Sequence, residues 1–419
     1  GSDGPMSGLR IAVTGLAATY PYGGVFWDYL QYPLGLRRLG HDVLYIEDTG
    51  RWCYDPVAST FARDGARNAA RLARWIAALD PGLARRWFMR DAGGRTYGVP
   101  WPRVASFCRD ADLFLHVSGS CWMRDEYFAA RRVAFLDSDP MYTQASLPDY
   151  QAGAIDEDAR QRVEAILAHD AFLSFGENVG RPGCRVPAGP LDWRPTRQPI
   201  VLDRFAEASV PVAARRRALT TVASWEPAWR VELVVDGVAY GSKGAELERF
   251  IELPTRSSLP LELALSGHLS KRRLRAHGWR LVGPNAVSDS PWAYRRYLAR
   301  SLGEWSVAKS PYVAGRTGWF SCRSACYLAL GVPVVVQDTG FPADIPRDEG
   351  VLAFTTLDEA AAAIERLASA PRRHARAARE VARECFDSDR VLSRLLDDAL
   401  DSPMSRTKPQ PAGASRGAP

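Results

Sequence analysis

The stretch that most constrains the fold is Gly315–Gly340, GRTGWFSCRSACYLALGVPVVVQDTG. It divides into a loop, a short helix and a buried strand. The loop, 315–322, is rich in glycine and hydroxyls: Gly315, Thr317, Gly318 and Ser321. Arg323 and Ser324 stand where a helix begins. Gly331-Val332-Pro333 ends it, because glycine accommodates the C-terminal turn and proline cannot continue a helix. Val334-Val335-Val336 is the short β-branched run that fills a parallel strand. A helix N-terminus offers unpaired N–H groups and a partial positive charge, so this one is a natural seat for a phosphate. A guanidinium at Arg323 can grip two of its oxygens. The bland reading, an ordinary capped helix entering a buried strand, fits the same residues.

The rest of the chain repeats this alternation. Leu9–Thr14 is a short apolar run that enters a glycine-containing loop, 15–24. A helix-like stretch follows, with Trp27, Leu30, Leu34 and Leu36, ending near Gly40, and His41–Asp48 is a second strand. That is a βαβ opening of the Rossmann type. It lacks G-x-G-x-x-G, so a dinucleotide fingerprint is not supported. Leu113–Ser118, Val133–Leu136 and Phe172–Phe175 are further strands, delivering Ser118, Asp137-Ser138-Asp139 and Gly176-Glu177. Ligands gather at the carboxyl ends of strands in an open α/β sheet, which makes Asp137, Asp139 and Glu177 candidate bases. His116, within its strand, reads as a satisfied core histidine.

Ala66–Arg90 is arginine-rich with apolar residues at helical spacing, interrupted at Pro81. It suits either a solvated surface helix or peripheral contact with an anionic membrane. Val186–Pro199 holds four prolines and little apolar periodicity, so it reads as an interdomain connection with the division near residue 192. Beyond it, Leu219–Ser224, Leu261–Ser266 and Arg280–Val282 are strands. Pro291–Ser301 is a helix, and 304–310 a strand feeding the loop at 315. Lys243 opens a helix capped near Ser242. A lysine there opposes the helix dipole, which suggests phosphate contact; an incidental surface lysine is the alternative. Helices close the chain at 357–367, 372–385 and 387–400.

The totals set bounds. At 419 residues the chain suits two domains rather than one core. No apolar run approaches the length of a membrane span, and no signal peptide opens the chain, so a cytoplasmic location is expected. Gly1–Pro5 reads as a remnant foreign to the fold. The net charge of +6 suits a polyanionic ligand, but its dispersal and the missing motifs argue against nucleic acid. Of 54 basic residues only Lys243, Lys271, Lys309 and Lys408 are lysines. Seven cysteines without a CxxC pair argue against disulfides and structural zinc. Residues 402–419 are proline-rich without an apolar face and are expected to be disordered.

The pattern W-F-S-x-R-S-A-C-Y-L-A-x-G-x-P-V-V-V-Q-D-T-G resembles the donor-binding element of bacterial glycosyltransferases of the GT-B fold, and the likeness runs from about Leu9 to Leu400. It implies an α/β protein with two Rossmann-like domains facing across a cleft. Residues 8–191 would bind an acceptor. Residues 192–401 would bind the donor, with the last helix crossing back. The resemblance implies donor contacts from Lys243, Gly283, Pro284, Lys309, Arg316, Thr317, Gly318, Trp319, Ser321, Arg323 and Ser324. It implies acceptor contacts from Tyr20, Tyr22, Gly23, Gly24 and Trp27. The co-substrate would be a nucleoside-diphosphate sugar (UDP, TDP or GDP), the acceptor a small molecule or glycan, with no metal or other cofactor. Retaining family-4-like members carry two glutamates eight residues apart, where this chain has Gly318 and Cys326; their absence favours inversion. A donor-binding partner protein without turnover, and a sugar-nucleotide epimerase, are the alternatives.

Overall fold

The computed structural model describes residues 8–225, 231–267 and 270–401; the expected tail, 402–419, and Gly1–Pro5 lie outside them. Two sheets carry the chain. The first has eight strands, ordered Trp193–Pro195, Ala171–Ser174, Arg132–Asp137, Leu113–Val117, Arg10–Thr14, Asp42–Asp48, Trp87–Arg90, Thr96–Gly98. All neighbours are parallel except the last pair. The second has six parallel strands, ordered Arg280–Val282, Leu261–Gly267, Arg216–Trp225, Ser301–Ser306, Val334–Gln337, Val351–Phe354. In each sheet the strand that comes first in sequence is interior and the order grows outward on both sides of it. That is the doubly wound pattern, whose crevice opens at the carboxyl ends where the order reverses. The central strands are continuous apolar runs, as burial on both faces requires: Ile11, Ala12, Val13, Val334 and Val335 are fully buried.

The halves meet along the helix Gly23–Arg38. Its first turn lies against the helix Pro291–Ala299 so closely that a Cβ on Gly23 would come 2.2 Å from the Ser290 carbonyl oxygen. The Trp27 Nε1–H donates to the Pro291 carbonyl at 2.9 Å. Its last turns meet the final helix, Ser388–Asp401, where a Cβ on Gly35 would come 2.5 Å from Leu392. That helix follows a π turn, Ala382–Phe386, and packs on the first sheet. The Ile200 N–H donates to the Phe386 carbonyl, the Ser388 N–H to Ile200, and Arg132 Nη2 to the Leu400 carbonyl.

Three local expectations are corrected. Trp87–Arg90 is a strand rather than part of a helix, because Trp87, Phe88 and Met89 are buried beside Tyr45–Asp48. Trp193–Pro195 pairs with Phe172–Ser174 at the sheet edge, a place that tolerates proline, so 186–199 is not all linker and the first sheet closes beyond 192. The helix Ala66–Leu79 buries Ala69, Leu72, Trp75, Ile76 and Leu79 in the core, which removes that apolar face from any membrane contact. Among the described residues no helix is long and apolar enough to cross a membrane. His116 stacks on His169 with Nδ1 and Nε2 3.0 Å apart, and the Cys121 N–H donates to its Nε2. All seven cysteines are free thiols.

Candidate active site

The carboxyl ends of the two sheets enclose a cleft of about 680 Å³. Ten of the sequence candidates line it: Tyr20, Tyr22, Gly24, Asp139, Lys243, Pro284, Lys309, Trp319, Ser321 and Arg323. They come from loops and helix starts scattered over 300 residues, gathered because parallel strands all deliver their following segments to one edge.

On the second half, the helix Cys322–Ala329 points its N-terminus at this cleft. Its N-cap, Ser321, makes no side-chain hydrogen bond to the helix, so the first-turn N–H groups are not capped by that hydroxyl. Arg323 is held from behind. Its Nε donates to Glu304 Oε1 at 2.6 Å and its Nη1 to the Val222 carbonyl at 2.9 Å. Glu304 is completely buried in the central strand Ser301–Ser306. Burial opposes the charge on Arg323, but the Glu304 carboxylate outweighs it and the pKa lies above that of ordinary arginine. The result is a rigid guanidinium on the cleft wall. Lys243 opens a helix capped by the Ser242 hydroxyl.

On the first half, Asp139 crosses the cleft: Lys309 Nζ lies 2.7 Å from its Oδ1, and the Tyr312 hydroxyl donates to the same oxygen. Burial works to raise the Asp139 pKa, but Lys309 and Tyr312 prevail and hold it below the usual aspartate range. Asp28 is the opposite case. It lines the cleft from the second turn of the helix Gly23–Arg38, and among the described residues no donor hydrogen-bonds its carboxylate. Burial among aromatic neighbours pushes its pKa up to about 7, against the pull of Arg323 and with a further push from Asp139. Sequence reasoning passed over it, although one signal was there: Asp28 is the single charged side chain between Gly23 and Leu36.

The remaining candidates lie elsewhere. Asp137 is buried, and its oxygens accept from the Asp139 N–H, Thr143, Gln144 and Ser174 at 2.6–2.9 Å. It braces the 138–144 loop and has no lone pair turned to the cleft. Glu177 pairs with Arg197 at 2.6 Å, Arg197 reaches Asp344 at 2.9 Å, and all three line a separate cavity of about 300 Å³. Gly23 and Trp27 pack under the Pro291–Ala299 helix, as described above. Arg316, Thr317 and Gly318 form a seam between the halves. The Asn178 amide donates to the Arg316 and Gly340 carbonyls, and the Asn178 N–H to Thr317. Gly318 has φ +79° with Asn178 2.9 Å from its would-be Cβ, which accounts for the glycine there. Ser324 is buried on the helix, and Gly283 sits beside Pro284 without lining the cleft. Among the described residues no three His, Cys, Asp or Glu side chains gather where they could hold a metal ion.

No protein-family model and no curated protein matches the chain. Solved structures do resemble it. An alpha-glucosyltransferase in complex with UDP-glucose and DNA containing an abasic site is 11% identical, over 94% of this chain and 99% of that one, with a TM-score of 0.54. The alpha-glucosyltransferase in complex with UDP is 10% identical over 93% and 99%, with a TM-score of 0.53. AviGT4, a glycosyltransferase involved in avilamycin A biosynthesis, is 14% identical over 93% and 97%, with a TM-score of 0.49. The likeness is one of fold. Two Rossmann-like domains face each other across a cleft, the GT-B architecture.

Proposed function

We propose that this chain is a glycosyltransferase that moves a sugar from a nucleoside-diphosphate sugar to an acceptor hydroxyl, without a metal ion and with inversion. The observation that carries the reading is the opposed chemistry of one cleft: a clamped arginine at a helix N-terminus on one wall, and on the other a carboxylate, Asp28, that no donor among the described residues hydrogen-bonds and whose pKa burial raises. The structural neighbours solved with UDP or UDP-glucose support the choice of co-substrate.

The step follows from these groups. The Asp28 carboxylate takes the proton of the acceptor hydroxyl, and the freed oxygen pair forms a bond to the anomeric carbon. The bond from that carbon to the diphosphate breaks as the new one forms, and its electrons leave on the diphosphate. Arg323, Lys243 and the first-turn N–H groups of Cys322–Ala329 hold the departing charge, the part a divalent ion plays in other sites. A base works best with a pKa near the operating pH, and Asp28, pushed to about 7, meets that condition. Asp139, kept ionised by its partners, instead orients Lys309 and Tyr312 across the cleft. Asp137 and Glu177 take no part.

Thermal unfolding with UDP, TDP, GDP and their sugar conjugates tests the reading. A ligand at 100 times its dissociation constant adds about 2.7 kcal/mol. Stabilisation by one base, stronger with one sugar, is the expected outcome; no shift with any of them would overturn it. NMR coupling constants of the product report the anomer, and retention would remove the single-displacement step.

A further inference from the structure

We propose that the hairpin Cys53–Ala62 extends the acceptor wall of the cleft into a subsite for a planar aromatic group carried by the acceptor. The proposal rests on the transferase reading above, and it names the chemical class of that acceptor. The starting point is a ladder of rings. Cys53–Asp55 pairs antiparallel with Thr60–Ala62, and Tyr54 stands directly opposite Phe61, so the two side chains share a face with centroids 5.1 Å apart. Tyr22 stacks on Tyr54 at 5.6 Å and 30°. Tyr20 meets Phe61 edge-on at 6.4 Å. Tyr20 and Tyr22 line the cleft, while Phe61 is half exposed at the far end. The four rings therefore make one continuous aromatic surface from the cleft to the outside.

The ladder is held in place. The Tyr54 N–H donates to the Thr19 carbonyl at 2.9 Å, and the Asn68 amide donates to the carbonyls of Ala18 and Tyr54. The hairpin is thus tied to the loop that follows the central strand of the first sheet. A rigid, fixed platform costs little entropy when a flat ligand lies on it.

The surroundings identify the occupant. Among the described residues, three of the six exposed large apolar side chains, Trp52, Val57 and Phe61, lie on the hairpin or next to it in sequence, and a fourth, Trp122, lies beside Gly50. An exposed apolar cluster of this kind marks a binding surface. A sugar ring also stacks on aromatics, but it needs polar groups beside the ring to match its hydroxyls. The hairpin's own carboxylate, Asp55, is spent on the Val57 and Ala58 N–H groups and on Arg67. A flat aromatic group satisfies the rings and asks for no such partners.

The test is equilibrium binding to the full chain of phenol, 2-naphthol and 7-hydroxyflavone, with maltohexaose and anionic phosphatidylglycerol vesicles in parallel arms. UDP stabilisation is measured on the same samples. Affinity is expected to rise with ring count, and Phe61→Ala to weaken 7-hydroxyflavone about tenfold. The Phe61→Trp variant should restore it, and the UDP shift should stay unchanged in both. Affinity that is flat with ring count, or the same in Phe61→Ala, would overturn the subsite. So would Phe61-dependent binding of maltohexaose or vesicles in place of the phenols. Failure with the phenols beside an intact UDP shift removes the subsite alone. Loss of the UDP shift in the parent protein removes the transferase reading instead.

Discussion

Both walls of the cleft are the carboxyl edge of a parallel sheet, yet they carry opposite chemistry. The second half presents a helix N-terminus with Arg323 clamped against the buried Glu304; the first presents aromatic rings and the unpaired Asp28. The difference teaches how a single scaffold divides work. A fixed positive charge needs a buried counter-charge to hold it, whereas a carboxylate of raised pKa needs burial that outweighs the pull of any cation nearby, as it does at Asp28 beside Arg323. Asp139 makes the point from the same wall as Asp28: joined to Lys309 and Tyr312 it falls below the ordinary aspartate pKa, whereas Asp28 rises to about 7.

The largest break in that comparison should come from Asp28→Asn. Transfer is expected to fall about 100- to 10,000-fold with nucleotide affinity retained, read as kcat/KM beside a UDP titration. In the parent protein kcat/KM should drop as pH falls through about 7. The stability sign is the reverse of a salt-bridged aspartate. A folded pKa above the unfolded one means ionisation destabilises the fold, so stability declines as pH rises from about 4 to 7. Asp28→Asn should therefore melt at an equal or higher temperature than the parent at pH 8, and a lower melting temperature there would contradict the unpaired environment.

Arg323→Ala comes next. Nucleotide affinity should weaken by about 2–4 kcal/mol, and the fold should lose about 3–5 kcal/mol because Glu304 is left buried and unpaired. Arg323→Lys separates the two effects, keeping the charge while losing the fork. Unchanged UDP affinity in Arg323→Ala would remove the donor assignment.

Asp139→Asn should cost less, about 1.5–3 kcal/mol in transfer, with UDP affinity nearly intact. Its stabilisation is present above the ordinary aspartate pKa and fades as pH falls through its lowered folded value. The melting gap between parent and variant should accordingly close in acid. The smallest effect on chemistry is expected from Glu177→Gln. Its pair with Arg197 belongs to a different cavity, so kcat/KM should stay within about twofold. Burial raises the Glu177 pKa against the pull of Arg197, so the variant should melt no lower than the parent above neutral pH. A large loss of transfer with normal melting would return Glu177 to the site.

Much of the architecture was legible because it is written in local periodicity. Val334–Gln337 is a strand and Cys322–Ala329 a helix for reasons contained in a few neighbouring residues, and Arg323 could be placed at a helix start from its context. Errors arose where pairing partners decide. Trp87–Arg90 follows an arginine-rich helix and is a strand only because Tyr45–Asp48 lies beside it. The aromatic ladder needed the hairpin at 53–62, whose Tyr54 and Phe61 are neighbours only through cross-strand register.

The site shows the division most sharply. The chain by itself determined an alternating α/β order, a phosphate-suited helix start and acidic residues at strand ends, since each depends on residue type and short spacing. Only the tertiary structure decided that Asp137 turns inward to four donors while Asp139, two residues on, reaches Lys309 across 170 residues of sequence. It also decided that Trp27 packs under a helix while its neighbour Asp28 opens on the cleft. The reason is physical: a carboxylate's role is set by burial and by the charges within a few ångströms, and those come from segments far apart in the chain.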